Sequence, residues 1–144
     1  MSKILIVDDE VGIRELLSEI LRDEGHDVVL AENAASAKAA RAEAQPDLIL
    51  LDIWMPEVDG ISLLKEWAAH GQLNVPVVMM SGHATIDTAV EATRIGALDF
   101  LEKPITMQKL LGAVQKGLAR GQMVQSAKAL VQAQQKLSDI VPSS

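Results

Sequence analysis

Short apolar runs alternate along this chain with longer stretches of helical periodicity. The run Leu48–Leu51 is apolar at four consecutive positions and is followed directly by Asp52. A strand that is covered on both faces has this pattern, whereas a half-exposed antiparallel strand alternates apolar and polar residues. Similar runs occur four more times. They predict strands at residues 3–7, 26–31, 48–52, 75–80 and 98–101.

Between these strands, apolar residues recur at the three- and four-residue spacing of a helix that packs on one side. The first helix is ended by Gly25, the alanine-rich second helix spans residues 34–44, and the third spans residues 60–70. Thr85 is placed to cap a fourth helix that runs to Ile95, and a fifth begins near Thr106. The residues expected to face inward are Ile13, Leu16, Leu17, Ile20 and Leu21 in the first helix, Ile61, Leu64, Trp67 and Ala68 in the third, and Leu110, Leu111, Val114 and Leu118 in the fifth.

Five strands that alternate with five helices indicate an α/β domain with a parallel sheet and right-handed crossovers. The common arrangement for five strands is the flavodoxin-like (CheY-like), doubly wound sheet of order 2-1-3-4-5. Its ligand crevice lies at the carboxyl ends of strands 1 and 3, where the strand order reverses. We therefore expect chemistry at Asp8, Asp9 and Asp52, which follow these two strands.

The C-terminal region continues the fifth helix into a tail. Gly112, Gly117 and Gly121 weaken the helix near its middle, and we place a domain boundary near Arg120. Residues 1–120 then form the domain and residues 121–144 a helical linker, with Pro142 ending the helical pattern. Two interpretations remain open for the tail, a short coiled-coil seam and an amphipathic helix end. The seam would consist of Met123, Leu130 and Leu137, with Ala133 and Ile140.

Composition narrows the function classes. The 144 residues include no cysteine, which excludes disulfides and thiolate metal sites. Four apolar residues precede Asp8, too few for a signal peptide or a membrane span, so we expect a cytoplasmic protein without a membrane partner. The formal net charge of −7 disfavours direct binding to nucleic acid, which needs clustered lysine and arginine.

Four neighbouring strand ends carry polar groups: Asp8 and Asp9 on strand 1, Asp52 on strand 3, Ser81 on strand 4 and Lys103 on strand 5. Carboxylates crowded together must take up protons or bind a cation. Ligands that are all oxygen favour Mg²⁺, with Mn²⁺ as a substitute. With the ion neutralising phosphoryl oxygens, Asp52 is suited to attack as a carboxylate nucleophile. Lys103 and Ser81 would hold the other oxygens of the phosphoryl group.

Each of these residues also has an ordinary structural interpretation. Asp8 or Asp9 alone could cap the first helix, Ser81 could be a loop hydroxyl, and Lys103 a solvated surface charge. Their conjunction on adjacent strand ends favours a site. The histidines at positions 26, 70 and 83 lie on separate elements without the spacing of metal ligands.

The motifs at these positions resemble the receiver domain of bacterial two-component response regulators. They are Asp8-Asp9, Leu51-Asp52, Met55-Pro56, Asp59-Gly60, Ser81-Gly82 and Lys103-Pro104. The match spans residues 3 to about 118. The stretches from Ser81 to Thr85 and from Gly96 to Pro104 are similar to the NtrC/NtrX group of transcriptional regulators, and Trp54 favours NtrX.

The resemblance implies phosphotransfer from a sensor histidine kinase to Asp52. It also implies that Mg²⁺ is held by Asp9, Asp52 and the backbone carbonyl of Trp54, with Asp8 acting mainly through water. The peptide bond before Pro104 is expected to be cis by the same analogy. The protein would promote only its own phosphotransfer and dephosphorylation, and would not be an enzyme with a separate substrate.

The resemblance also implies a switch. Ser81 would move toward the phosphoryl group and Phe100 would turn inward, reshaping the face formed by the fourth helix, the fifth strand and the fifth helix; ordinary packing of Phe100 is the alternative. Trp54 and His83 would flank the phosphorylation site and tune the lifetime of the phosphate. We expect a homodimer through helices 4 and 5 and the C-terminal helix.

The sequence differs from the family pattern in its output region. Members of the group continue into an ATPase domain and a DNA-binding helix-turn-helix, whereas this sequence contains neither a GxxxxGK[ST] loop nor a basic recognition helix. There are two alternatives for the chain. It is a receiver whose tail links it to a transcriptional output domain, with nitrogen-related regulation as the expected role, or it is a stand-alone receiver that acts as a phosphorelay intermediate. An aspartyl-phosphate phosphohydrolase is disfavoured because Asp8 and Asp9 are adjacent rather than in a DxD pattern. A flavodoxin-like cofactor module is disfavoured because acidic residues follow strand 1.

Overall fold

A computed structural model describes residues 2–83 and 85–140 of the chain. Its strands form one parallel sheet with the order β2-β1-β3-β4-β5, so the expected topology is confirmed. The strands are β1 (Lys3–Val7), β2 (Asp27–Ala31), β3 (Leu48–Asp52), β4 (Val77–Ser81) and β5 (Asp99–Glu102). The helices are α1 (Val11–Asp23), α2 (Ala34–Ala44), α3 (Gly60–Ala69), α4 (Ile86–Ile95) and α5 (Met107–Ile140).

Helices cover both faces of the sheet, which explains the continuous apolar runs in its central strands. In β1, Leu5 and Val7 pack toward α2, α3 and α4, whereas Ile4 and Ile6 pack toward α1 and α5. Every residue of β3 is buried, including Asp52. The central strands therefore have two apolar sides, and polar side chains are confined to their ends.

Local capping explains where several helices begin. Asn33 accepts a hydrogen bond from the Ser36 backbone N–H in a capping box at α2. Asp59 accepts one from the Ser62 N–H at α3, at 2.7 Å. Thr85 caps α4 through the N–H of Thr88, as the sequence predicted. These caps fix the starts of α2, α3 and α4, each of which follows the loop at the carboxyl end of a strand.

Three local predictions were wrong. Strand β4 begins at Val77 rather than residue 75, since Pro76 has no N–H to donate, and it extends to Ser81. Leu16 was expected to face inward but is 54% exposed, because it lies a full 100° step around the helix from the buried Leu17. Leu63 of α3, which the pattern omitted, is fully buried.

The last helix passes through residue 120 without interruption and is one helix of 34 residues. Its glycines therefore do not end it, and the boundary near Arg120 stays a prediction. Met123 and Leu130 of the suggested seam are exposed. The side chains of Leu137 and Ile140, and the whole of Pro142, lie outside what the structure describes.

Within residues 2–83 and 85–140, no helix combines the length and the apolar character needed to cross a membrane.

Candidate phosphoacceptor site

Polar side chains gather at the carboxyl edge of the sheet, where the crevice was expected. Asp8, Asp52 and Ser81 are buried there, at 0%, 2% and 0% exposure. A buried carboxylate is costly unless a cation or hydrogen bonds compensate it. Two such groups on neighbouring strands therefore need specific partners.

Asp8 receives several of these partners. Its Oδ1 accepts the Glu10 backbone N–H at 2.9 Å, and its Oδ2 accepts a hydrogen bond from Lys103 Nζ at 2.8 Å. The Arg14 guanidinium donates to the Asp8 backbone carbonyl at 2.6 Å. Both carboxylate oxygens and the main chain of Asp8 are thus engaged, so its position is fixed. Asp8 satisfies an N–H at the start of α1 as well as facing the site.

Lys103 lies between three carboxylates. Besides Asp8, its Nζ is 3.4 Å from Asp52 Oδ1 and 3.7 Å from Glu10 Oε1, and its side chain is only 12% exposed. The backbone N–H of Lys103 donates to the Ser81 carbonyl at 2.8 Å, and the peptide bond to Pro104 is cis, as expected. The end of β5 therefore brings this ammonium group next to the ends of β1, β3 and β4.

The charges at this edge are not balanced. Burial and, after it, the charge of Asp8 raise the pKa of Asp52 from 3.8 to about 7, although Lys103 opposes the shift. Burial alone would lower the pKa of Lys103, but the hydrogen bond to Asp8 and the surrounding carboxylates outweigh it, and the pKa is raised. Lys103 thus stays charged, and the site favours additional positive charge beside Asp52.

The residues present fit a hard divalent cation. Carboxylate oxygens of Asp8, Asp9 and Glu10 lie within 4.8 Å of one another, with Asp9 and Glu10 exposed. Oxygen donors of this kind suit Mg²⁺. Burial and the negative charge of Asp8 raise the pKa of the nearby Asp52, so a cation beside these groups would relieve the crowding. Glu10 was not among the predicted ligands, although its place in the run Asp8-Asp9-Glu10 was a usable signal.

The loop after β3 is shaped by close backbone contacts. A Cβ at Gly60 would collide with the backbone carbonyl oxygen of Asp52, and the Gly60 N–H donates to the Ile53 carbonyl at 2.7 Å. Only glycine permits this approach. In the same loop, Glu57 has a positive φ of 71°. Sequence analysis recognised Asp59-Gly60 only as a family motif, whereas the structure shows that Gly60 lies directly against the backbone of Asp52.

The remaining predicted residues surround this centre. The Ser81 hydroxyl accepts the His83 backbone N–H at 3.1 Å, so the loop after β4 holds it in place. The Trp54 side chain is 55% exposed, and that of His83 is also exposed. Phe100 is partly buried and packs against the core on the α2–α4 side of the sheet. Trp54 and His83 are thus open to solvent, while Phe100 belongs to the packed interior.

The structure brings Asp8, Asp52 and Lys103 into direct contact and places Asp9 in the acidic group beside them. Sequence reasoning missed Arg14, which holds the Asp8 carbonyl. A single arginine six residues after Asp8 carries no distinctive pattern, so sequence offered no signal for it. The arrangement offers carboxylate oxygens of the kind that a divalent cation prefers, and it holds the Asp52 carboxylate beside the ammonium group of Lys103.

Comparisons with known proteins agree with this geometry. The sequence profile of the response regulator receiver domain matches residues 4–115. Regulatory protein AtoC of Escherichia coli strain K12 is 40% identical over 133 residues, covering 92% of this chain and 29% of AtoC. Nitrogen assimilation regulatory protein NtrX of Azorhizobium caulinodans is 44% identical over 117 residues, covering 80% of this chain and 26% of NtrX.

Among solved structures, the receiver domain of NtrX from Brucella abortus superimposes with a TM-score of 0.75 at 47% identity. The match covers 81% of this chain and 98% of that domain. In contrast, the chain spans less than a third of the length of the two curated relatives. The likeness therefore concerns one domain of those regulators.

Proposed function

This chain belongs to the response regulator receiver domain family and is similar to the receivers of NtrC-family regulators, and we propose that Asp52 accepts a phosphoryl group from a sensor histidine kinase with Mg²⁺. The observation that carries the proposal is the buried Asp52 carboxylate, which touches Lys103 and is crowded by Asp8. A site with this surplus of negative charge favours a divalent cation, and the cation would also neutralise the oxygens of an incoming phosphoryl group.

In the proposed reaction, an Asp52 oxygen attacks phosphorus while the bond from phosphorus to the donor histidine nitrogen breaks. The nitrogen keeps the electron pair of that bond, and an aspartyl phosphate forms. Lys103 already lies beside Asp52 and would contact a phosphoryl oxygen, and the Ser81 hydroxyl would donate to another. Asp9, Asp52 and the Trp54 carbonyl would hold Mg²⁺, with Mn²⁺ as a substitute, and Asp8 would act through water. The ion would neutralise charge on the phosphoryl oxygens.

The response to phosphorylation would be a population shift between two conformations of the domain. Ser81 and Phe100 would move together and alter the face formed by α4, β5 and α5. NtrX of Azorhizobium caulinodans is described as a nitrogen assimilation regulatory protein. We propose that this receiver likewise acts in the cytoplasm on a transcriptional output domain with an ATPase and a DNA-binding part, and that it binds no nucleic acid itself.

The decisive experiment incubates the protein with acetyl phosphate and Mg²⁺ and measures intact mass. A single phosphoryl adduct is expected, and Asp52→Asn should remove it. Asp47→Asn, at an exposed position before β3, is the matched control and should retain the adduct. Continuous release of phosphate at a rate far above adduct decay would indicate a phosphohydrolase and overturn the proposal, as would an adduct that persists in Asp52→Asn.

We also propose that the receiver pairs as a homodimer through α4, α5 and the tail. Exposed apolar side chains on these helices support this, namely Ile86, Val90, Met123 and Leu130. Sedimentation analysis of the full chain and of a chain without residues 122–144 tests the contribution of the tail. Weaker association of the shorter chain is expected, and unchanged association would exclude the tail from the interface.

A further inference from the structure

Contact between α5 and the sheet ends at two glycines. At Gly117 the helix backbone lies directly on Leu48, because a Cβ there would collide with the Leu48 side chain. At Gly121 a Cβ would lie 3.7 Å from the Pro76 ring. Beyond this point Met123 is 71% exposed and Leu130 is 63% exposed. Gly117–Gly121 is therefore the junction between the docked part of α5 and its tail.

This junction is also a weak part of the helix. A glycine in a helix interior costs up to ~1 kcal/mol relative to alanine, because it leaves more conformational freedom to lose. Two glycines within five residues place that weakness where the packing ends. Gly112, by contrast, is exposed and has nothing within 4 Å of its potential Cβ. It lies in the docked part of the same helix.

The space beside the junction is not filled. A surface pocket of about 380 Å³ lies next to Arg120 and Gly121. Its other walls include Pro76, Gly96 and Leu98. Because this pocket opens to solvent, the helix has room to tilt at Gly121 without displacing core side chains.

Strand β5 connects this junction with the phosphoacceptor site. Leu98, just before the strand, is 3.4 Å from the potential Cβ of Gly117. Its N–H donates to the Val77 carbonyl at 2.8 Å. Lys103 directly follows the other end of this four-residue strand and contacts Asp52. One short strand thus touches both the site and the base of the tail.

We propose that α5 bends at Gly117–Gly121 and that the phosphorylation state of Asp52 changes the bent population through β5. The first part concerns the helix alone, and the second rests on the proposed function. The bend would redirect the tail relative to the sheet while the packing of Leu110 and Val114 stays intact.

The chain has no cysteine, so two can be introduced for spin labels without background. Ala39 on α2 and Gln132 on the tail are exposed positions. Distance distributions are measured in wild type, Gly121→Ala and Gly112→Ala, each diluted with unlabelled protein so that only distances within one chain are seen. Both substitutions raise helix propensity equally, but only one lies at the junction.

In Gly121→Ala the ratio of bent to straight forms should fall about fivefold relative to wild type, the factor equivalent to ~1 kcal/mol. Gly112→Ala should leave this ratio unchanged. Equal distributions in all three proteins would overturn the bend at the junction. This comparison needs no phosphate, so its result is independent of the proposed function.

The second part is tested on the same labelled proteins with acetyl phosphate and Mg²⁺, with intact mass measured in parallel. Phosphorylated wild type should show a changed bent fraction, and phosphorylated Gly121→Ala a smaller change. An adduct with no change in the wild-type distribution would overturn the coupling. Absence of any adduct would instead overturn the proposed function.

Discussion

A partly buried cation lies at each end of the sheet, but the two cations have different partners. At the amino end, Arg41 stacks on the Trp67 ring at 4.7 Å and donates to the Gln72 carbonyl and to Asn74 Oδ1. At the carboxyl end, Lys103 is shared among carboxylates, including Asp8 and Asp52. The first cluster gives one cation neutral partners, whereas the second leaves negative charge in excess.

This difference separates structural from functional charge. A cation held by an aromatic ring and neutral acceptors stabilises the packing of α2 against α3. Burial and a neighbouring acid raise the pKa of Asp52, so the ionised carboxylate destabilises the ligand-free fold. Such a group is typical of a functional site that is completed by a ligand. Substitution of the cation should therefore affect the reaction at the carboxyl end and the stability of the fold at the amino end.

The largest effect is expected for Lys103→Met. Loss of the ammonium group should slow adduct formation from acetyl phosphate about 100-fold, the scale for removing one charge-stabilising donor. The measurement is the initial rate by intact mass with saturating Mg²⁺. Lys109→Met, at an exposed position on α5, should react at the wild-type rate. A Lys103→Met rate equal to that control would contradict a role for Lys103 at phosphorus.

Arg41→Met should instead affect stability. Loss of the ring contact and of the hydrogen bonds to Gln72 and Asn74 should lower the free energy of unfolding by about 2 kcal/mol. The initial rate of adduct formation, measured below the melting temperature, should equal that of wild type. Denaturant unfolding measures the first effect, with exposed Arg22→Met as the control. A slower reaction without destabilisation would reverse the roles assigned to the two ends.

The pH dependence of stability sharpens the comparison. Asp52 is harder to ionise in the folded protein than in the unfolded chain. The free energy of unfolding of the metal-free protein should therefore fall as the pH rises from 3.8 to about 7, and above that range Asp52 should cause no further change. Asp52→Asn removes the group, and its stability advantage over wild type should grow across that range. Mg²⁺ affinity of wild type should rise over the same range, because the ion binds the ionised form. Unfolding in EDTA and Mg²⁺ titration measure the two effects, and pH-independent differences would contradict the charge crowding.

The smallest effect is expected at Trp54. Its exposed indole lies two residues after Asp52, where it would hinder the water that attacks the aspartyl phosphate. Trp54→Asn should therefore lose phosphate severalfold faster than wild type, and Trp54→Phe should be intermediate. Decay of the intact-mass adduct after removal of the donor gives the rates. Decay of Trp54→Asn at the wild-type rate would exclude shielding by the ring.

Sequence patterns predicted the sheet order and, to within one residue, the carboxyl ends of the strands, because continuous apolar runs and a doubly wound topology leave few alternatives. They also grouped Asp8, Asp52 and Lys103, since parallel strands end at one edge. They missed contacts that depend on exact loop paths, such as Arg14 on the Asp8 carbonyl. The same limit applies to Gly60, whose approach to the Asp52 backbone is visible only in three dimensions.

Site mapping of the trapped adduct tests the central claim most directly. The protein is treated with acetyl phosphate in Mg²⁺ or in EDTA, the acyl phosphate is reduced with borohydride, and the modified residue is identified by peptide mass spectrometry. The account predicts modification at Asp52 with Mg²⁺ and none with EDTA. Modification at another acidic residue, or at Asp52 to the same extent without the metal, would contradict it.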